Sequence, residues 1–299
     1  MYEDIRKNKI KTGIIVAIFT AIIGLAIYGI CYLFDFQEYA IIISAIFAII
    51  STITTYYNCD KVVLRSVNAR PATKEEDLQL TNILEGLMVT SGLTKKPDLY
   101  VIDSAQPNAF ATGRDPEHSI ICVTSGLIQK LDYYELEAVV AHELSHIRNY
   151  DIRLSAVISV MAGFVVILSD MFLRGFIRGR RGDNDRDNDS KAGGIFAIIG
   201  LVMLIISPIV SSLIQLAVSR RREYLADATA VEFTRNPDAL ISALLKISSD
   251  DSELEVASNS NAYMYIENPY VEKRNKKESS FLSTHPTIEE RVNAIKNLK

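Results

Sequence analysis

One uncharged apolar run of 22 residues restricts what this chain can fold into more than any other feature. The run extends from Gly13 to Phe34, and a helix of that length, at about 1.5 Å per residue, spans the roughly 30 Å hydrocarbon core of a bilayer. It is too long for the apolar part of a signal peptide, and no small-residue cleavage site follows it. A second uncharged run, from Ala40 to Tyr57, begins after a short polar break. Together the runs predict a transmembrane hairpin over residues 1–57.

Basic residues flank this hairpin on both sides and are absent from the loop that connects its helices. Four precede the first run and three follow the second: Arg6, Lys7, Lys9, Lys11, Lys61, Arg65 and Arg70. Because basic flanks of membrane helices remain in the cytoplasm, both ends of the hairpin are predicted to be cytoplasmic. The chain is therefore predicted to be a multi-pass protein of the cell membrane with its soluble part in the cytoplasm.

Two later apolar runs, Leu154–Leu173 and Gly193–Val218, predict a second transmembrane hairpin over residues 151–218. The polar loop 174–192 between them carries six basic and four acidic residues. If both runs cross the bilayer, this basic loop lies outside, against the usual bias. The alternative is a pair of helices that pack on the soluble domain or enter the membrane only partly. Because the first helix usually dominates orientation, we predict four membrane helices.

The remaining segments, 58–150 and 219–299, have the composition of a soluble domain that mixes helices and strands. Capping-box pairs predict helices over 74–91 and 133–149, and β-type runs at 98–102 and 119–124 predict a small sheet. The fold class is therefore α+β and mostly helical. A net charge of −4 gives no electrostatic footprint for nucleic acid. Three scattered cysteines form neither a disulfide framework nor a cysteine zinc site.

The predicted helix 133–149 contains the motif His-Glu-Leu-Ser-His at residues 142–146. Residues four apart share a helix face, so His142 and His146 can bind one Zn²⁺, and Glu143 can act as a base toward a metal-bound water. We expect this helix to continue into the third apolar run, which would place the metal just above the bilayer. The alternative is that both histidines are structural groups of an amphipathic helix.

A catalytic zinc needs a third protein ligand, and Glu223 is the best candidate. Asp227 lies one helical turn further on the same face and is placed to accept a hydrogen bond from a ligand histidine. The alternative is a solvated helix face on which both acids pair with the arginines at 220–222.

Four motifs together resemble those of the HtpX-type membrane zinc proteases, relatives of the CAAX prenyl proteases, over essentially the whole chain. They are residues 108–113 (Asn-Ala-Phe-Ala-Thr-Gly), 142–146, 223–227 (Glu-Tyr-Leu-Ala-Asp) and 283–286 (Ser-Thr-His-Pro), in that order. The resemblance implies a zincin- or gluzincin-like catalytic domain that holds one zinc ion per chain. It assigns zinc ligation to His142, His146 and Glu223, and the general base to Glu143.

The resemblance also implies roles for residues that spacing alone does not single out. Asn108 and Ala109 would lie on an edge strand that pairs with substrate backbone. His285 and Arg291 look like a pair near the cleaved carbonyl, with His285 donating to the developing oxyanion and Arg291 supporting the site from behind its ligands. An asparagine in a turn and a helix-capping histidine are the simpler alternatives.

These observations predict a zinc-dependent endopeptidase that hydrolyses membrane or misfolded proteins at the cytoplasmic face, in membrane-protein quality control and stress response. Its predicted partners are protein substrates and the lipid bilayer, with no nucleic acid, and a homo-oligomer is left open. A membrane scaffold is the second hypothesis, and it requires a fourth protein ligand such as His118 or His285. A transporter is the third, and it expects ionisable or broken-helix positions near the midplane, where only Pro208 qualifies.

Overall fold

The computed structural model describes residues 2–33, 38–179, 200, 202, 205–210, 220–258, 261–270 and 286–298. The helices are α1 (Tyr2–Leu33), α2 (Ala40–Ser66), α3 (Lys74–Ser91), α4 (Ser125–Lys130), α5 (Tyr133–Arg148), α6 (Asp151–Gly179), α7 (Arg220–Thr234), α8 (Pro237–Ser248) and α9 (Ile288–Lys296). The strands are β1 (Arg70–Pro71), β2 (Asp98–Ile102), β3 (Ala109–Asp115) and β4 (His118–Thr124), and a 3₁₀ turn spans Ala262–Met264. The predicted mostly helical fold with a small sheet is confirmed.

Helices α1 and α2 are long and apolar enough to cross a membrane, over Asn8–Leu25 and Ala40–Ser66. Many of their large apolar side chains point outward, including Leu25 and Ile41 at about 70% exposure, as expected of surfaces that face lipid. Helix α2 continues beyond the predicted end of the second run at Tyr57 and loses helical backbone angles only at Asn58. The predicted boundary between hairpin and soluble domain therefore falls inside this helix.

The third apolar run lies within α6, whose first half packs against α1 and α2. Ile158 and Met161 of α6 share a buried cluster with Phe19 and Ala48 of the hairpin, and Ile206 joins the same cluster. Of the fourth run, residues 200, 202 and 205–210 are helical, and the others lie outside the described residues, as do residues 180–192 of the polar loop. The four-span arrangement therefore stays a prediction.

Helices α5 and α6 do not form one continuous helix. They meet at an 84° bend, where Tyr150 adopts a left-handed backbone conformation with φ of 59°. Such a conformation is costly for a residue with a side chain and ends regular helix. The expectation that α5 continues straight into the third apolar run is therefore wrong. By length and composition, Tyr133–Arg148 together with Asp151–Val166 could form either a broken span or a re-entrant loop.

The sheet has the strand order β1-β2-β4-β3 and leaves β3 at one edge. Strands β2 and β4 are parallel, whereas β3 pairs with β4 in antiparallel register, with Ala109 opposite Val123 and Ala111 opposite Ile121. One sheet face packs on α3, α5 and α8 in the main core. The other face packs on the end of α2, where Val63 and Val67 lie in one buried cluster with Phe110 and Cys122.

Both predicted capping boxes are present and fix the starts of α3 and α5. At α3, Arg70 donates to Glu76 at 2.8 Å, and the Thr73 backbone N–H donates to the same carboxylate. These hydrogen bonds, foremost the one from Arg70, hold the pKa of Glu76 down at about 2. Strand β1 and helix α3 are therefore joined by an ionised Glu76.

Replacing Glu76 with glutamine should lower stability only above the pH range in which Glu76 titrates. A pKa depressed by folding contributes stability above the unfolded value near 4.3, and this contribution is lost as pH falls toward 2. Because Glu76→Gln preserves the cap, the deficit should be about 1 kcal/mol at pH 7. Unfolding temperatures of both proteins from pH 7 to pH 3 measure it, and a deficit independent of pH would contradict this assignment.

Candidate metal centre

Helices α5 and α7 bring the three predicted metal ligands together. Nε2 of His142 lies 3.3 Å from Nε2 of His146, and the two carboxylate oxygens of Glu223 lie 3.7 Å and 3.8 Å from those nitrogens. His142 and His146 face the same side because they are four residues apart on α5. Glu223 reaches them from the first turn of α7, which packs against α5 and on which Ala226 and Ala230 are buried.

The donor set fits a zinc ion. Two ligands bound at 2.0–2.1 Å in tetrahedral geometry are about 3.4 Å apart, close to the separations of 3.3–3.8 Å among these three side chains. Each histidine directs its other ring nitrogen to a carboxylate, which can only accept a hydrogen bond. When both rings are neutral, the Nε2 lone pairs of His142 and His146 therefore face each other and Glu223, an arrangement that a divalent cation resolves. Two nitrogens and one carboxylate are a typical catalytic zinc set.

The His142 ring is held from behind by a buried ion pair. Nδ1 of His142 lies 3.0 Å from Asp227, and Arg291 binds both oxygens of that carboxylate at 2.9 Å and 2.6 Å. Arg291 also donates to the carbonyl of Ile266 at 2.9 Å. The geometry thus places Asp227 where the spacing predicted it, and places Arg291 on the Nδ1 side of the ring.

The His146 ring is held by Asp151, a residue that the sequence reasoning missed. Its Nδ1 lies 3.1 Å from the Asp151 carboxylate. Asp151 begins α6 immediately after the bend, and only this bend brings a residue five positions further along the chain back to the ring. An aspartate just beyond the motif was the available signal, but a straight helix would have pointed it elsewhere.

Burial sets the charge states of the centre. Burial alone would lower the pKa of His142, but the hydrogen bonds with Asp227 and Glu223 outweigh it and raise the pKa to about 9. A metal ion must therefore compete with a proton for this ring. Burial raises the pKa of Glu143. Burial also opposes ionisation of Asp227, but Arg291 and His142 together hold its pKa below the usual range.

The pocket beside the three ligands is lined by Glu143, by Ala111 of the edge strand and by residues 263–266. The segment that contains those last residues also binds the start of β3. Ile266 N–H donates to the Ala109 carbonyl at 2.9 Å, and the Asn108 side chain donates to the carbonyl of Glu267 at 3.0 Å. Asn108 and Ala109, predicted to bind substrate, are thus hydrogen-bonded to this chain's own backbone.

Two histidines remain outside the triad. His118 pairs with Asp115 at 2.8 Å beside the β3–β4 turn, and its side chain is exposed. It supplies no fourth ligand, as the scaffold hypothesis would require. His285, the predicted oxyanion donor, lies outside the described residues. Among the described residues, the one group that could hold a metal ion is His142, His146 and Glu223.

Two histidines and a glutamate around one point, with a buried glutamate beside the first histidine, define the centre of a metallopeptidase. The sequence comparison agrees, because the profile described as Peptidase family M48 matches residues 74–299. The chain belongs to peptidase family M48 and is a metallopeptidase.

Curated relatives extend the match over the full length. A protein described as Protease HtpX homolog from Caldanaerobacter subterraneus subsp. tengcongensis is 42% identical, over 100% of this chain and 98% of its own. Another of the same description from Dictyoglomus thermophilum is 41% identical, over 99% of this chain and 94% of its own. The crystal structure of S. mikatae Ste24p matches with a TM-score of 0.50 at 20% identity, covering 97% of this chain and 66% of that one. That last likeness concerns the fold alone.

Proposed function

We propose that this metallopeptidase is a zinc-dependent endopeptidase of the cell membrane that cleaves membrane or misfolded proteins at the cytoplasmic face. The observation that carries the proposal is the convergence of His142, His146 and Glu223, with buried Glu143 adjoining the same pocket. Zinc rather than another divalent ion is proposed because this donor set is typical of catalytic zinc. The names of the relatives support protease activity, and a role in protein quality control and stress response is proposed together with it.

Bound zinc would supply Lewis-acid chemistry, acidifying a water molecule and polarising the substrate carbonyl. Glu143 is proposed to take the proton of the attacking water and to return it to the leaving amine. Burial raises the pKa of Glu143, so this carboxylate holds a proton more readily than an exposed glutamate does. His285 stays the proposed donor to the oxyanion.

Substrate backbone is proposed to pair with the edge strand β3. The Thr124 N–H donates to the Asn108 carbonyl, so the alternation of an antiparallel pair directs the backbone groups of Ala109 and Ala111 away from β4. The carbonyl of Ala109 receives Ile266 in this way, and Ala111 comes next along the same edge, in the wall of the metal pocket. Main-chain hydrogen bonds at Ala111 would bind substrates of many different sequences, because such bonds do not involve the substrate's side chains. On this proposal, Asn108 and Ala109 lie at one end of the β3 edge along which the substrate strand binds.

The cytoplasmic orientation is supported by the basic flanks of α1 and α2. The start of α1, which carries one of those flanks, reaches the metal centre through Asn8 and Asp151. The centre therefore lies at the end of the hairpin that the charges assign to the cytoplasm. Substrates would reach it from that side, either as membrane proteins or as exposed unfolded chain.

Sealed vesicles test metal dependence and orientation together. Inverted vesicles, whose cytoplasmic face points outward, should cleave an added unfolded reporter such as casein, whereas right-side-out vesicles should not. A zinc chelator should abolish cleavage, and added Zn²⁺ should restore it, because the proposed mechanism needs the Lewis acid that the metal supplies.

A variant with Glu223 replaced by alanine is the control, since it loses one ligand and leaves the orientation unchanged. It should be inactive in either kind of vesicle. Cleavage that survives chelation would exclude a metal mechanism. Activity confined to right-side-out vesicles would overturn the cytoplasmic assignment.

A further inference from the structure

A buried polar residue of the first membrane helix contacts the metal centre. Asn8 lies near the start of α1 and is 8% exposed. Its side-chain amide donates to Oδ1 of Asp151 at 2.8 Å and lies 3.4 Å from the carbonyl of Asn149. A buried amide at the edge of an apolar helix is costly unless it is hydrogen-bonded, and here its partner is the carboxylate that holds a metal ligand.

The two oxygens of Asp151 are divided between the membrane helix and the metal ligand. Oδ1 accepts from Asn8 and lies 3.6 Å from the Arg222 guanidinium. Oδ2 lies 3.1 Å from Nδ1 of His146. With Oδ1 anchored, the carboxylate has one orientation in which Oδ2 can accept from the His146 ring. The position of Nε2 on the opposite side of that ring follows from this hydrogen bond.

The two histidines of the motif are supported in different ways. The His142 side chain is 1% exposed, and its aspartate is clamped by the doubly bonded Arg291. The His146 side chain is 17% exposed, and its aspartate has no bidentate partner among the described residues. Within the described part of the membrane hairpin, Asn8 is the residue whose side chain donates to the Asp151 carboxylate. His146 is thus the ligand whose orientation depends on α1.

We propose that Asn8 is a positioning residue through which the first membrane helix orients Asp151, and thereby His146, for metal binding. The inference rests on the proposed zinc site and extends it, since it makes the hairpin a working part of the metal centre as well as an anchor. The bond between the Thr12 hydroxyl and the Asn8 carbonyl is local to α1 and reaches no metal ligand. Thr12 therefore provides a matched control within the same helix.

The test is the zinc affinity of the full-length protein in detergent, measured by competition with a chromophoric chelator. Replacing Asn8 with leucine, which matches its size, should weaken zinc binding about tenfold, the low end of the range for groups that support metal ligands. Thr12→Val should bind zinc as the wild type does. The visible spectrum of the Co²⁺-substituted Asn8→Leu protein should shift, since a reoriented imidazole changes the ligand field.

A double-mutant comparison separates positioning from a general structural effect. Asp151→Asn should weaken zinc binding more than Asn8→Leu does, and the combined variant should be no weaker than Asp151→Asn alone, because Asn8 acts through that carboxylate. Asn8→Gln retains the amide and should recover part of the affinity. If Asn8→Leu does not fold, Asn8→Ala, which only removes the amide, takes its place.

Equal zinc affinities for Asn8→Leu and Thr12→Val, or additive losses in the double variant, would overturn the inference and leave the zinc site intact. A wild-type protein that does not bind zinc would instead overturn the proposed function and this inference with it.

Discussion

Replacing Glu143 with glutamine is expected to reduce peptide hydrolysis by roughly 10²- to 10⁴-fold, the range that general-base groups contribute. Glutamine preserves the shape of the side chain and cannot accept the proton of the attacking water. Glu143 is buried beside the three ligands, so no solvent-exposed base can take its place there. Cleavage of a fluorogenic peptide by the purified protein measures the loss as a fall in kcat.

Zinc binding separates this result from a loss of the site. Because Glu143 is not one of the three converging ligand side chains, the Glu143→Gln variant should bind zinc as tightly as the wild type or more tightly. A matched control is Glu137→Gln, which changes a partly exposed glutamate elsewhere on α5 and should leave kcat unchanged. Unchanged hydrolysis by Glu143→Gln would remove Glu143 as the base, whereas lost zinc would give it a structural role.

The sequence sufficed for those parts of the centre that depend on spacing within one helix. His142 and His146 are four residues apart on the capped helix α5. Glu223 and Asp227 are likewise four residues apart, on α7. Helical geometry alone puts each pair on one face. The capping boxes that start α3 and α5 are equally local, and both predictions are confirmed. Local patterns of this kind need no knowledge of how the chain packs.

Contacts that depend on a bend or on distant packing were not predictable in this way. Asp151 reaches His146 only because the chain turns through 84° at Tyr150, and neither glycine nor proline, the strongest helix breakers, lies at that bend. Asn8 lies 143 positions from Asp151, and periodicity carries no information on such a pairing. The hydrogen bonds of Asn108 and Ala109 with residues 266 and 267 arise in the same manner, from a segment that follows α8.

Replacing Arg291 with methionine is expected to destabilise the protein by about 3–5 kcal/mol, because it leaves the charge of Asp227 buried without its partner. Both side chains are about 1% exposed and share two hydrogen bonds. The carbonyl of Ile266 also loses its donor. Unfolding in detergent micelles, followed by circular dichroism, should show a melting temperature lower by roughly 10 °C for a domain of this size.

The paired variant Asp227→Asn/Arg291→Met distinguishes a lost ion pair from lost packing. Removing both charges relieves the burial of an uncompensated carboxylate, so the double variant should melt above the Arg291→Met single variant. It should still bind zinc more weakly than the wild type, because an asparagine is a poorer acceptor for the Nδ1 proton of His142 than a carboxylate is. If the double variant melts no higher than the single one, the main loss comes from the packing of the Arg291 side chain between α9 and α7. Wild-type zinc affinity in the double variant would show that Asp227 does not support His142 as a metal ligand.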